Sequence, residues 1–126
     1  MNNMYRDVFD FHKAFNLTVG NEPAFPSEDT RELRKRLLDE EVEEYLKSEA
    51  EDDLVNIARE LADIIYIACG TAVAYGIPLD KIFKEVHNSN MAKLVNGKPI
   101  YREDGKVLKP EGWRPPNIQN VLYSKE

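Results

Sequence analysis

The chain has 126 residues and a formal net charge of −6. This length suits one domain with a sizeable hydrophobic core and is short for two. The acidic balance argues against nucleic acid polymers and anionic membranes as partners, since both require a basic surface. We therefore expect a single domain, residues 1–126, with neither kind of partner.

The cysteine content and the apolar runs favour a cytoplasmic location. The single cysteine, Cys69, cannot form an internal disulfide, as is usual in a reducing compartment. The most apolar run, residues 64–77, is broken by glycines and is shorter than the roughly 18 apolar residues that suggest a membrane span. No basic segment followed by an apolar core opens the chain, so we expect no secretory signal.

Hydrophobic spacing predicts up to four helices in chain order. The first covers residues 5–16, and the second begins at Ser27 or Asp29 and runs to about residue 47. The third covers residues 54–75 and the fourth residues 79–94, with Gly76 and Pro78 between them. Short connections of this kind favour antiparallel neighbours in a helix bundle.

The chain changes character from residue 95 onward. The stretch "KPIYREDGKVLKP" holds two short β-prone runs around Asp104-Gly105, a dipeptide that is typical of a tight hairpin turn. After residues 113–116, "WRPP", the chain is expected to be extended. We therefore predict a small β-hairpin and an extended tail over residues 95–126.

Five acidic residues crowd the stretch "LLDEEVEEYL" of the second helix, residues 37–46. At about 100° per residue, Glu41 and Glu44 share an arc with leucines, and we expect them on the buried face. Glu40 lies at the edge of that arc. Glu43 points away and is expected to be a solvated charge.

The third helix repeats this arrangement with Glu60 and Asp63, one turn apart in the most apolar part of the chain. A buried carboxylate without a partner is costly, so it must be protonated, paired or bound to a metal. Arg59 could pair with Asp63. Two antiparallel helices would bring four carboxylates together, a set of oxygen ligands that suits Mg²⁺ or Mn²⁺. The four predicted metal ligands are Glu41, Glu44, Glu60 and Asp63.

The same acids are open to two alternative interpretations. They could be ordinary helix-surface charges, but four acids on apolar faces call for a common cause. A di-iron carboxylate site would require Glu-x-x-His pairs on two helices, and neither His12 nor His87 stands in one. His12 lies on the apolar side of the first helix, where a core or pocket-wall histidine is expected.

The pattern Glu40-Glu41-x-x-Glu44, fifteen residues, Glu60-x-x-Asp63 resembles the signature of the all-α nucleotide pyrophosphohydrolases. This superfamily includes MazG, dimeric dUTPase and phosphoribosyl-ATP pyrophosphohydrolase. Three stretches between residues 11 and 116 are similar to its phosphoribosyl-ATP-pyrophosphohydrolase-like, MazG-related branch: "FHKAFNL", "ELADIIYIACGTAVAYGI" and "EVHNSNMAKLVNGKPIYREDGKVLKPEGWRPP". The resemblance implies an all-α, four-to-five-helix MazG-like bundle, with the hairpin and tail attached.

The resemblance further implies hydrolysis of a nucleoside triphosphate between its α and β phosphates, giving the monophosphate and pyrophosphate. Mg²⁺ held by the four carboxylates would neutralise phosphate oxygens and acidify a water. Glu40 or Glu44, at the rim of the cluster, is expected to accept the proton of that water as the general base. Removal of non-standard or surplus nucleotides is the biological role that this reaction suggests.

Basic and amide side chains are expected to contact the triphosphate. Asn90 and Lys93 share an arc of the fourth helix with apolar residues, although both could merely end that helix. Arg102 and Lys106 on the hairpin are further candidates, as is Lys109, with solvated strand charges as the alternative. Trp113 or Tyr101 could stack on a base, although packing is the commoner role of such aromatics.

The third helix is apolar around most of its circumference, which one short domain covers with difficulty. A homodimer or a tetramer would cover it, and the resemblance implies the same. The alternative function is a non-catalytic helical dimer that binds a nucleotide or a protein partner through the same acidic surface.

Overall fold

The computed structural model describes residues 1–124, which contain five helices and no sheet. In chain order these are α1 (Asn3–Ala14), α2 (Glu28–Ala50), α3 (Leu54–Tyr75), α4 (Leu79–Met91) and α5 (Ile118–Leu122). The prediction of an all-α fold is confirmed. Internal contacts divide the chain into two compact units, Met1–Leu79 and Asp80–Glu126, the second described as far as Ser124. The prediction of one domain stays a prediction.

Local capping groups determine where the long helices begin and end. The Ser27 hydroxyl accepts a hydrogen bond from the Thr30 amide at 3.2 Å and caps α2, as one of the two predicted caps. Asp53 caps α3 in the same manner. Gly76 ends α3 with φ of 69°, a left-handed conformation that glycine adopts without strain.

The core of the first unit forms where α1 and α2 both pack on α3. Its buried apolar residues come from α1 and α3, and Val73 at 1% exposure is the most enclosed of them. The Tyr5 hydroxyl donates to the Ile77 carbonyl at 2.7 Å, which joins the start of α1 to the end of α3. Cys69 is buried in this core, as expected of a packing residue.

A buried arginine joins α2 to α3. Arg34 is only 7% exposed, and its guanidinium donates to the Thr71 hydroxyl at 3.1 Å and to the Ile67 carbonyl at 2.8 Å. Gly70 lies between these two acceptors on α3. A Cβ at this position would overlap the guanidinium of Arg34 and lie 2.9 Å from Nε2 of His12. The absence of a side chain at Gly70 therefore allows α1 and α2 to approach α3 together.

His12 is buried on α1, which confirms its expected place in the core. Its Nδ1 lies 2.8 Å from the Thr18 carbonyl oxygen. Since a carbonyl oxygen only accepts, Nδ1 carries the proton. Burial lowers the pKa of His12 below its ordinary value of 6.5; the Thr18 hydrogen bond acts in the opposite direction, and the charge of Arg34 lowers the pKa further.

The second unit does not support the predicted β-hairpin. Within the described residues, the stretch after α4 has only two isolated bridges, one between Val95 and Lys98 and one between Tyr101 and Val107. All four residues are exposed, so no apolar face stabilises a ladder, and a two-stranded hairpin alone is marginal in water. The predicted tail is also only partly extended, because α5 occupies residues 118–122.

Within residues 1–124, no helix by itself combines the length and apolar content of a membrane span; α3 and α4 reach those values only when taken together across their bend, by length and composition alone.

We predict that Gly70→Ala destabilises the protein by about 1–3 kcal/mol, because the added methyl group overlaps Arg34 and His12. At an exposed helical position a change from glycine to alanine would stabilise the protein by about 1 kcal/mol. The sign of the change in unfolding free energy therefore distinguishes a tightly packed Gly70 from an exposed one. Urea unfolding measures it. In an Arg34→Met background the cost should shrink, and a variant more stable than wild type would contradict the packing described here.

We predict that the His12 site weakens the fold in acid. Since the pKa of His12 is lowered in the folded state, the unfolded chain binds its proton more readily. The contribution of neutral His12 to the stability of the fold is therefore complete at a pH above 6.5, the ordinary pKa of histidine. It is lost as the pH falls below that value. Urea unfolding of wild type and His12→Asn between pH 8 and pH 5 tests this. The difference between the two proteins should narrow in acid, and a constant difference would contradict the prediction.

Candidate metal centre

Three carboxylates from two packed helices meet in the first unit. Glu41 lies on α2, and Glu60 and Asp63 lie one turn apart on α3. One carboxylate oxygen from each of them lies within 4.8 Å of the other two. The sequence predicted this association from helical spacing alone.

These oxygen–oxygen distances are close to those between the ligands of one bound divalent ion. Two oxygen ligands of one Mg²⁺ lie at most about 4.2 Å apart, because each is about 2.1 Å from the ion. The three oxygens would need to move by only about half an ångström at their widest separation, which side-chain rotation can supply. The donor set, three carboxylates without nitrogen or sulfur, also suits a hard cation. The residues present therefore fit a divalent metal ion.

The electrostatics of the cluster also favour a cation or a proton. Glu60 is buried at 9% exposure, and Glu41 and Asp63 are half-buried. The pKa of Glu41 is raised above its ordinary value, first by burial, then by a hydrogen bond with Glu60, and then by the negative charges of Asp63, Glu60 and Glu44. A divalent ion among these carboxylates would remove their mutual repulsion.

One protein cation reaches the cluster. Nε of Arg59 lies 3.9 Å from the Asp63 carboxylate, so the expected pairing is present. The Arg59 side chain is 76% exposed, and an exposed pair of this kind contributes little stability. Among residues 1–124 no lysine, arginine or histidine forms an ion pair with Glu41 or Glu60. Within that range, these two carboxylates have no paired positive charge.

Glu44 and Glu40 are more exposed than the three clustered acids. Glu44 is exposed, so the expectation that it lies on the buried face is wrong. Its charge helps to raise the pKa of Glu41, but its carboxylate is not one of the three that cluster. This face of α2 is only partly covered by the other described residues. Leu33, which lies on the same arc, is likewise exposed at 42%. Glu40 is also exposed, and the roles of both glutamates stay predictions.

The four predicted substrate-binding residues belong to the second unit. Asn90 is exposed rather than inward-facing, and Lys93 follows the end of α4 with its amino group 5.3 Å from the centre of the Trp113 ring. Arg102 pairs with Asp104, which raises the pKa of the guanidinium. Lys106 is exposed, and its backbone amide donates to Asp104 at 3.2 Å. Their contact with a substrate stays a prediction.

Sequence reasoning missed the close association of Lys109 with Trp113. The Lys109 amino group lies 5.1 Å from the centre of that ring. No periodicity relates residues 109 and 113, because the chain between them has no regular secondary structure. The signal available was the interleaving of basic residues and an aromatic residue in one short stretch.

Comparison with known proteins identifies the family. A family model described as phosphoribosyl-ATP pyrophosphohydrolase matches residues 8–90, more than half of the chain, and this stretch contains the three clustered carboxylates. No curated protein matches the chain. With most of α1 to α4 and the acidic cluster inside the matched stretch, the chain belongs to the phosphoribosyl-ATP pyrophosphohydrolase family, within the MazG-like all-α pyrophosphohydrolase superfamily.

Proposed function

We propose that the chain is a Mg²⁺-dependent nucleoside triphosphate pyrophosphohydrolase. It would take up one water and cleave the α–β phosphoanhydride of an NTP or dNTP, giving the NMP or dNMP and pyrophosphate. The observation that carries this proposal is the cluster of Glu41, Glu60 and Asp63, in which two carboxylates have no cationic partner within residues 1–124. Family membership supports the reaction class. A role in clearing non-standard or surplus nucleotides from the cytoplasm would follow.

The carboxylates would act as metal ligands, with Glu44 as a fourth. Mg²⁺, or Mn²⁺ in its place, would supply positive charge to the phosphate oxygens and lower the pKa of a water that it ligates. Glu41 and Glu60 belong to different helices, so the packing of α2 on α3 holds the ligands at a constant separation. Such preorganisation avoids reorganisation during the reaction.

The general base would be Glu40 or Glu44. Both are exposed near the cluster, one residue before Glu41 and three residues after it, and an exposed carboxylate is free to accept a proton from water. The two have different surroundings, because only Glu44 contributes to the raised pKa of Glu41. This proximity makes Glu44 the stronger candidate for a role that combines metal binding and proton transfer.

The substrate phosphates would be held by Asn90, Lys93, Arg102 and Lys106. Asn90 and Lys106 are exposed, and Lys93 is half-buried, so their side chains are accessible to a ligand. Arg102 would have to give up its pairing with Asp104 to bind phosphate, which makes it the weakest of the four.

A homodimer or a tetramer would cover the apolar face that α3 leaves exposed in one chain. Leu54 and Val55 are 78% and 80% exposed, and Leu61 and Ile65 are close to half exposed. Exposed apolar surface of this extent on one helix is typical of an interface with another subunit. Two acids of the cluster, Glu60 and Asp63, lie on the same helix, so the oligomer would affect the site.

We predict that Mg²⁺ raises the melting temperature through Glu41. At a free concentration ten times its dissociation constant the ion should stabilise the fold by about 1.4 kcal/mol, or about 5 °C. Without metal, Glu41→Gln should be more stable than wild type at pH 7.5. A raised carboxyl pKa means that stability is lost as the pH rises from the ordinary value of 4.5 through the folded-state value.

Thermal melts of wild type, Glu41→Gln and Glu43→Gln, each with EDTA and with Mg²⁺, measure both effects. Glu43 is an exposed acid on the same helix and serves as the matched control. An equal Mg²⁺ response in Glu41→Gln would place the metal elsewhere.

We predict Mg²⁺-dependent release of pyrophosphate from at least one member of a panel of canonical, deoxy and damaged nucleoside triphosphates. Asp63→Asn and Glu41→Gln should each lower kcat by about a hundredfold or more, since each removes a charged ligand. Glu43→Gln should retain wild-type rates. Nucleotide binding without turnover of any panel member would favour the alternative, a non-catalytic dimer that binds a nucleotide or a protein partner.

A further inference from the structure

The stretch that follows α4 is basic in an otherwise acidic protein. Residues 93–114 contain six lysines and arginines against three aspartates and glutamates, whereas the whole chain has a net charge of −6. Positive charge is therefore concentrated in one part of the second unit. Such segregation is typical of a surface that binds an anion.

Trp113 is held in a defined position within this basic stretch. Its indole Nε1 donates to the Ser89 carbonyl at 2.7 Å, and the Ser89 hydroxyl donates to the Arg114 carbonyl at 3.1 Å. Ser89 is buried near the end of α4. These two reciprocal hydrogen bonds attach the Trp113 segment to α4, so the half-buried indole is a fixed platform rather than a mobile surface aromatic.

Two lysines pack against this indole. The amino groups of Lys93 and Lys109 lie 5.3 and 5.1 Å from the centre of the Trp113 ring, within the range of a cation–π contact. The two nitrogens are therefore no more than about 10 Å apart. The indole orders both side chains and so removes part of the entropy that a ligand would otherwise have to restrict.

Neither lysine has a carboxylate partner among the residues that the structure describes. Two acids of the second unit are engaged elsewhere: Asp104 pairs with Arg102, and the Glu85 carboxylate accepts a hydrogen bond from the Asn117 amide at 2.8 Å. Two positioned ammonium groups, each with three N–H donors, are thus available to an anionic ligand.

We propose that Lys93 and Lys109, positioned by Trp113, form a binding site for a linear phosphate chain. Two ammonium groups beside one ring, no more than about 10 Å apart, suit a ligand whose negative charges are distributed along a chain better than a single orthophosphate. The proposal rests on the proposed function in its choice of ligand class, since a nucleoside triphosphate and pyrophosphate share this chemistry. It adds Lys109 to the substrate contacts and gives Trp113 a positioning role.

Trp113 is the only tryptophan of the chain, so its fluorescence reports this site directly. The full-length protein in EDTA should be titrated with inorganic tripolyphosphate, pyrophosphate and orthophosphate. We expect a saturable change in emission with tripolyphosphate, a weaker affinity for pyrophosphate, the weakest for orthophosphate, and a loss of affinity as NaCl screens the charges.

Lys93→Met and Lys109→Met should each weaken tripolyphosphate binding about tenfold or more, since each removes a charged hydrogen-bond donor. Lys98→Met is the matched control, because Lys98 is an exposed lysine of the same stretch without an aromatic contact among the described residues. Absence of any emission change in wild type, or equal weakening in Lys98→Met, would overturn the proposal.

Two further arms separate the ligand sources and the two proposals. A nucleoside triphosphate that binds more tightly than pyrophosphate would identify the substrate as the ligand, and tighter binding of pyrophosphate would identify the product. Glu41→Gln should keep the emission response although its turnover is lost. A response in a wild-type protein that turns over no nucleotide would refute the proposed function and support the phosphate site. Turnover with no emission response would refute the phosphate site alone.

Discussion

The contact between the Arg34 guanidinium and α3 determines how the two longest helices align. Arg34 contacts Ile67 and Thr71, and seven residues further along α2 Glu41 meets Glu60 and Asp63, which lie seven or eight residues back along α3. The two helices are therefore antiparallel, and their register is set by the arginine. A slip of one residue at Arg34 would rotate Glu41 by about 100° away from its partners.

This alignment depends on a buried charge that has only neutral partners. A guanidinium in the interior is costly, and burial lowers the pKa of Arg34 accordingly, but a hydroxyl and a carbonyl satisfy its Nε and Nη2. No carboxylate neutralises it among the described residues. The clustered acids lie two helical turns away, about 10 Å along the axis, and so remain available to a metal ion instead of being paired with Arg34.

The sequence predicted the features that have local causes. Four helices followed from apolar spacing, and Ser27 and Gly76 marked ends that the structure confirms. The grouping of Glu41 with Glu60 and Asp63 also followed, because i, i+3 spacing on two antiparallel helices leaves few alternatives. Arg34 gave no such signal, since an arginine on a polar helix is usually solvated. Its role depends on the space that Gly70 leaves on another helix.

The predictions of a β-hairpin and of a buried Glu44 were wrong because each depends on packing against other parts of the chain. Asp104-Gly105 is a sound turn signal, but a hairpin also requires an apolar face to pack, and residues 101–109 are exposed throughout. The leucines of α2 predicted that the arc holding Glu44 is buried. Periodicity, however, gives the direction of a side chain and not whether other residues of the same chain cover it. Leu33, which lies on the same arc, is exposed as well.

The family match covers the residues that would support hydrolysis and, apart from Asn90, none of those that would hold the substrate phosphates. The matched stretch contains the three carboxylates and ends at Asn90, before Lys93, Lys109 and Trp113. Family membership therefore bears on the hydrolytic part of the proposal, whereas the proposed contacts to the phosphate chain, except that of Asn90, depend on residues outside the match. The positive charge that would attract a phosphate chain lies in the basic stretch, residues 93–114, whose charge is opposite to that of the chain as a whole. A protein of net negative charge that binds a polyanion requires its positive charges to be grouped in one region. Only local positive charge can offset the repulsion between the polyanion and the rest of the molecule.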